Sequence, residues 1–160
     1  MAESDHPAYV NIYRQLPAAY DAMQALERAC ADAMDPVLFE LVKLRASQIN
    51  GCAFCIDMHW KDARAAGETE ERLYMLAAWR EATVYSPTER AALALTDEVT
   101  LIADRHVPAD VEAAAREHFD AAAYAALVFT IVTINAWNRL AITCHAAPGR
   151  YRAKAHATTA

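Results

Sequence analysis

Apolar side chains recur along the chain at intervals of three and four, in blocks parted by short polar runs that contain proline, glycine or capping residues. That period belongs to helices; the strict alternation of a strand is hard to find. The first block, residues 7–33, predicts an amphipathic helix with a break or kink at Pro17, since a proline inside a helix removes a donor and crowds the turn before it. Asp35-Pro36 then offers an N-cap and a first helical residue for "VLFELVKLRASQI", and Asn50-Gly51 should end that helix because both tolerate left-handed backbone. The next helix starts around Cys52, runs through "ARAA" and stops at Gly67. Thr69 caps "EERLYMLAAWREA", whose leading glutamates complement the positive helix end. Ser86-Pro87-Thr88-Glu89 reads as a capping box opening "RAALALTDEVTLIAD". Pro108 starts "ADVEAAAREHF", and a last long helix spans about Ala121 to Cys144. No internal repeat or long linker interrupts the pattern. The expectation is one all-α domain of six or seven helices over residues 1–147, followed by a flexible tail over 148–160 that Pro148-Gly149 introduces.

Composition agrees with helix. Only three glycines occur in 160 residues, and much of the 56% hydrophobic content is alanine, which favours helix more than it fills a core. A net charge of −6 and a pI near 5.4 argue against a nucleic-acid surface. The single basic cluster, "GRYRAK", lies at the tail and reads as part of it. The start, "MAESDHPAYV", shows no basic stretch followed by an apolar one, so no secretory leader is expected. The longest apolar run, "YAALVFTIVTI", is shorter than a membrane span and leads into Asn135, Asn138 and Arg139, so it reads as a buried helix. A cytoplasmic, reducing setting is therefore expected, where four cysteines would not form a static disulfide framework.

Chemistry concentrates in "NGCAFCIDMH", residues 50–59. Cys52 and Cys55 open a helix, where unpaired N–H groups and the helix dipole favour a thiolate. Positions three apart on a helix hold their Cβ atoms about 5–6 Å from each other. A disulfide needs about 4 Å, so a small adjustment lets it close. His59 stands one turn beyond Cys55 and can exchange a proton with that thiol. Glu40 lies on a largely apolar face of the preceding helix with Val37, Leu44 and Ser47. A hairpin turning at Asn50-Gly51 could bring it over His59 to orient the imidazole; equally, Glu40 could be a half-exposed partner of Lys43. Haem attachment is excluded, since Ile56 rather than histidine follows the second cysteine. Zinc on Cys52, Cys55 and His59 stays open, with Cys144-His145 as a distant second pair, and so does plain core packing of the cysteines.

The spacing Glu40-x11-Cys52-x2-Cys55-x3-His59 resembles the core motif of AhpD-like alkyl hydroperoxidases in the carboxymuconolactone decarboxylase superfamily. The surrounding sequence from Glu40 to Leu76 is similar as well, and "TINAWNRLAI" resembles the final helix of a small single-domain branch. The resemblance implies an all-helical fold that assembles as trimers or hexamers and reduces peroxides with a CxxC dithiol. It implies Cys55 as the peroxidatic cysteine, Cys52 as the resolving one, and Glu40 with His59 as a proton relay. A dithiol reductant, a lipoyl or thioredoxin-like protein, would restore both thiols, and neither an organic cofactor nor a metal is required. Phe54 departs from the pattern: the best-studied members carry a histidine there. A redox-responsive module without catalysis is the rival reading; lactone decarboxylation is disfavoured, because the decarboxylases generally lack the CxxC pair.

Other residues are read as structural. Cys30 and Cys144 carry no obvious base and are taken as buried or idle. Asn135, Asn138 and Arg139 are taken as structural; Trp60, Trp79 and Trp137 as core or interface; His106 and His118 as solvated.

Overall fold

The computed structural model describes residues 10–153; the expected helix start at Pro7 and the "HATTA" terminus lie outside them. The described residues form eight α-helices and one 3-10 turn, without a strand. In chain order these are α1 (Ile12–Gln15), α2 (Pro17–Asp32), α3 (Pro36–Asn50), α4 (Ala53–Ala65), α5 (Glu70–Met75) running into the 3-10 turn Leu76–Ala78, α6 (Pro87–Thr100), α7 (Ala109–His118) and α8 (Ala121–Thr143). The all-α expectation holds; the helix number exceeds the six or seven expected, because Pro17 divides the first segment in two.

Local signals act as expected at most boundaries. Asp35 accepts from the N–H groups of Val37 and Leu38 at 3.0 and 2.9 Å. Ser86 and Glu89 complete the reciprocal capping box. The segment after Thr69 is the exception. Its expected helix through Ala82 stops regular α geometry at Met75. The cause is tertiary: Arg90 donates to the carbonyl oxygens of Trp79 and Ala82 at 2.9 Å and of Arg80 at 2.8 Å, supplying the hydrogen bonds that a continued helix would have supplied. Asp97, 2% exposed, pins the same turn by accepting from Trp79 Nε1 at 3.2 Å and pairing with Arg80 and Arg45.

Helix α3 is the axis of the packing. Leu41 and Leu44 belong to one apolar cluster with Ala63, Leu73, Leu76 and Leu93. Leu38 and Val42 belong to another with Leu95, Leu127 and Ile131. A helix lined on both sides is buried nearly all round, so any charged side chain on it must find a partner. Helix α8 covers the second side. By length and composition it could cross a membrane, yet half of its apolar window is buried here against the other helices.

A polar clasp fixes the end of α3 against α8. Asn50 Nδ2 donates to Asn135 Oδ1 and Asn138 Oδ1, both at 2.9 Å. Asn138 Nδ2 donates to Ser47 Oγ and Asn135 Nδ2 to Thr100 Oγ1, each at 3.0 Å. Five polar side chains, four of them buried and Asn50 half-buried, thus satisfy one another across α3, α6 and α8, immediately before the turn that carries Cys52.

Past α8 the chain runs back along α4. The Gly149 N–H donates to Asp57 at 3.0 Å, Lys61 Nζ donates to the Tyr151 carbonyl at 3.2 Å, and the Tyr151 hydroxyl donates to Asp62 at 2.8 Å. Gly149 and Tyr151, within the segment expected to be a tail, make these contacts; residues 154–160 lie outside the described residues.

Candidate active site at the turn between α3 and α4

Gly51 takes the left-handed conformation, φ 67°, that reverses the chain out of α3. Cys52 then becomes the N-cap of α4, its Sγ accepting from the Cys55 N–H at 3.4 Å. The two cysteines are bonded as a disulfide with Cα atoms 5.3 Å apart. They sit at 1% and 2% exposure, packed against Ala141 and Ala146 at the end of α8. In this oxidised state neither sulfur is a thiolate, so the zinc set Cys52, Cys55 and His59 is not assembled.

One turn along α4, His59 points into the protein and Glu40 meets it from α3, with 2.8 Å between His59 Nδ1 and Glu40 Oε2. The ring is thus held with Nδ1–H donating to the carboxylate, which leaves Nε2 as the acceptor. That Nε2 is buried without a hydrogen-bond partner. The hairpin brings Glu40 over His59 as one of the two sequence readings required, and Lys43 goes elsewhere: it forms an ion pair with Glu27 of α2.

Burial pushes the His59 pKa below its usual value, and the nearby Lys43 charge pushes it the same way; Glu40 opposes both. The imidazole therefore rests neutral, able to take a proton at Nε2. Stability should follow. Above the ordinary value of 6.5 the folded and unfolded states are equally unprotonated at this site. As pH falls through 6.5 and towards the lower folded value, the unfolded chain gains a proton the folded chain resists, so stability drops. His59→Gln keeps a neutral hydrogen-bonding group beside Glu40 and is expected to remove that part of the acid sensitivity. Urea midpoints at about pH 7.5 and about pH 5 for both proteins measure it; equal losses would show that His59 is not held neutral.

Asp62 lies one turn beyond His59 and receives the Tyr151 hydroxyl. Burial raises its pKa, Tyr151 lowers it and the Glu40 charge raises it further, with a net upward shift. One donor atom from each of Glu40, His59 and Asp62 falls within 4.8 Å of the others, a spacing that would suit a cation.

A cavity of about 190 Å3 opens beside the disulfide, lined by Gly51, Cys52, Phe54, Ile142, His145 and neighbouring alanines. Cys52 lines it and Cys55 does not.

Residues 15–98 match the carboxymuconolactone decarboxylase family, just over half of the 160-residue chain and all four motif residues. The chain belongs to the carboxymuconolactone decarboxylase family. An uncharacterized family relative, YdfG of Bacillus subtilis (strain 168), is 46% identical over 134 residues, which cover 83% of this chain and 91% of that one. Among solved structures, a protein of unknown function from Agrobacterium tumefaciens, suggested to be the antioxidant defence protein AhpD, superimposes with a TM-score of 0.85 at 36% identity, covering 91% of this chain and all of that one. An uncharacterized peroxidase-related protein with an AhpD core from Ralstonia eutropha JMP134 superimposes with a TM-score of 0.75 at 20% identity over 87% of this chain and 75% of that one, which shows the shared fold. The fold is therefore AhpD-like, as the motif implied.

Sequence reasoning named Glu40, Cys52, Cys55 and His59, and the structure joins them as two bonded pairs on adjacent helices. It missed Glu27, Asp62 and Tyr151. Lys43, in the otherwise apolar "LVKL", was a signal for Glu27, since a lysine 5% exposed demands an acid. Asp62, three residues after His59 on one helix face, was a signal too. Nothing in the pattern announced Tyr151. Of the residues read as structural, Trp79 is buried in the core, while Trp60 and Trp137 are half-buried; Cys30 is buried and Cys144 half-buried.

Proposed function

We propose that the chain is a thiol-dependent hydroperoxide reductase that cycles Cys52 and Cys55 between dithiol and disulfide. One observation supports this reading above the rest: the bonded cysteines open the helix whose next turn holds an imidazole fixed by a carboxylate at 2.8 Å. In the reduced protein, His59 Nε2, oriented by Glu40, takes the proton of the Cys55 thiol. The thiolate attacks one oxygen of ROOH, the O–O bond breaks, and the leaving alkoxide takes a proton from His59 to depart as ROH. Cys55 is left as a sulfenic acid. The Cys52 thiol then attacks the Cys55 sulfur, water leaves, and the disulfide closes. A dithiol reductant of lipoyl or thioredoxin-like type returns both thiols by exchange. The chemistry calls for no metal or organic cofactor.

We further infer a homo-oligomer, a trimer or hexamer, in a reducing cytoplasm. Phe129, Val132 and Ile142 stand 54%, 49% and 45% exposed along α8, an apolar face that association would cover. The test is a thiol-dependent peroxidase assay on wild type, Cys52→Ser and Cys55→Ser with several peroxides and reductants. Peroxide loss no faster than the reductant alone, for every pair tried, would overturn the reading. Slow turnover with an oligomeric state that changes on oxidation would instead establish a redox-responsive module.

A further inference from the structure

Three helices in this fold end in the same way. At the end of α3, the Cys52 N–H bonds the Ser47 carbonyl at 3.1 Å and Gly51 takes the left-handed position. At the end of α4, the Glu68 N–H bonds the Ala63 carbonyl at 3.0 Å and Gly67 takes that position with φ 101°. At the end of α8, the Ala146 N–H bonds the Ala141 carbonyl at 3.0 Å, the His145 N–H bonds the Ile142 carbonyl at 3.1 Å, and the left-handed residue is His145, φ 51°. Among the described residues His145 is the single non-glycine with positive φ. Glycine adopts this conformation without steric cost, and a Cβ does not. Two of the three turns use glycine; the third carries an imidazole. That third turn is the one that faces the disulfide: Ala141 and Ala146, bonded across it, pack on Cys52 and Cys55, and His145 lines the cavity with Cys52. A strained residue that borders a reactive group is a sign of function.

The cavity also decides which sulfur an incoming thiol meets. Cys52 lines it and Cys55 does not, while His59 stands one turn beyond Cys55 on α4. We propose that His145 is a catalytic residue of the reductive half-reaction, the base that activates the donor thiol for attack on Cys52. This rests on the dithiol cycle proposed above. One thiol of the donor gives its proton to the His145 imidazole, and the resulting thiolate attacks Cys52 Sγ. A new sulfur–sulfur bond forms between donor and Cys52, the Cys52–Cys55 bond breaks, and Cys55 leaves with the electron pair as a thiolate, ready for the next peroxide. The donor's second thiol then attacks the donor sulfur of the mixed disulfide and releases its proton to water. Cys52 leaves and takes the proton held by His145. The donor departs as a disulfide, two electrons poorer, and the protein holds both reduced sulfurs. Two imidazoles thus divide the cycle, His59 serving the peroxide and His145 the thiol.

The two half-reactions can be timed apart. Disulfide-form protein mixed with dihydrolipoamide, and quenched by thiol alkylation, reports reduction alone; pre-reduced protein mixed with peroxide reports oxidation alone. His145→Gly should slow reduction about tenfold or more, in the range that positioned proton transfer contributes. It should leave oxidation within about twofold and raise the melting temperature, because glycine suits the turn. Added free imidazole should restore part of the lost rate. His145→Gln, which keeps the backbone strain, should slow reduction equally without the gain in melting temperature. Excess glutathione, acid-quenched and mapped by mass, should be found on Cys52. Reduction at the wild-type rate in His145→Gly, no rescue by imidazole, or glutathione on Cys55 would overturn the assignment. A wild-type protein that fails to oxidise with any peroxide would instead sink the peroxidase reading, while the reduction measurements would still judge His145.

Discussion

Cys55→Ser is expected to abolish peroxide turnover, a fall of several orders of magnitude such as loss of a covalent nucleophile brings. Cys52→Ser is expected to behave differently. It should consume about one equivalent of peroxide per chain and stop, with a sulfenic acid on Cys55 that a carbon nucleophile traps. The contrast matters because the structure contains arguments for both orders. Cys52 is the N-cap of α4, nearest the positive end of the helix, and it lines the cavity. Those features favour a thiolate there and approach from the cavity. Cys55 has the base: His59 follows one turn later on the same helix, its Nε2 buried without a partner while Nδ1 is held by Glu40. A helix end supplies about half a unit of charge, whereas a positioned base removes the proton outright and returns it to the leaving alkoxide. The second effect is the larger, so Cys55 is assigned the attack. A burst from Cys55→Ser and silence from Cys52→Ser would reverse the roles while preserving the cycle.

Much of this arrangement was legible in the sequence, because the signals that carry it are local. Gly51, Asp35, Thr69 and the Ser86–Glu89 pair each fix a helix end through their own backbone preference or a bond to a near neighbour. The CxxC spacing with a histidine one turn on is equally local. What the sequence left ambiguous was the partner of Glu40. Lys43 is three residues away on the same helix and His59 nineteen away on the next, and only the packing of α3 into two apolar clusters decides between them. Buried on that helix, Lys43 is drawn to Glu27 of α2, which also accepts from Trp137 Nε1 at 3.1 Å and so ties α2 to α8. The fate of the helix after Thr69 was hidden for the same reason: Arg90 and Asp97, well beyond any local window, supply the bonds that end it. His145 was read only as half of a distant metal pair, because nothing in "CHAAPG" shows that its histidine occupies a glycine's conformation.

Glu40→Gln should lower the second-order rate of Cys55 oxidation by about 100-fold or more, the lower end of what a positioned general base contributes. The side chain keeps its size and can still accept a hydrogen bond from Nδ1–H through its amide oxygen, so the helices have no reason to separate. Two things change. The negative charge that stabilises an imidazolium is lost, and with it the opposition to the two influences that already hold the His59 pKa down, burial and the Lys43 charge. The amide can also turn its N–H2 towards Nδ1, which places the proton on Nε2 and removes the acceptor that faces the reaction. Either change weakens the base without touching a sulfur. The loss should therefore fall on the oxidative step and leave reduction of the disulfide by dihydrolipoamide close to wild type, since that step draws its base from the other side of the pair. Oxidation within about threefold of wild type would show that the carboxylate does no more than pack α3 against α4, and the relay assigned to Glu40 and His59 would have to be abandoned.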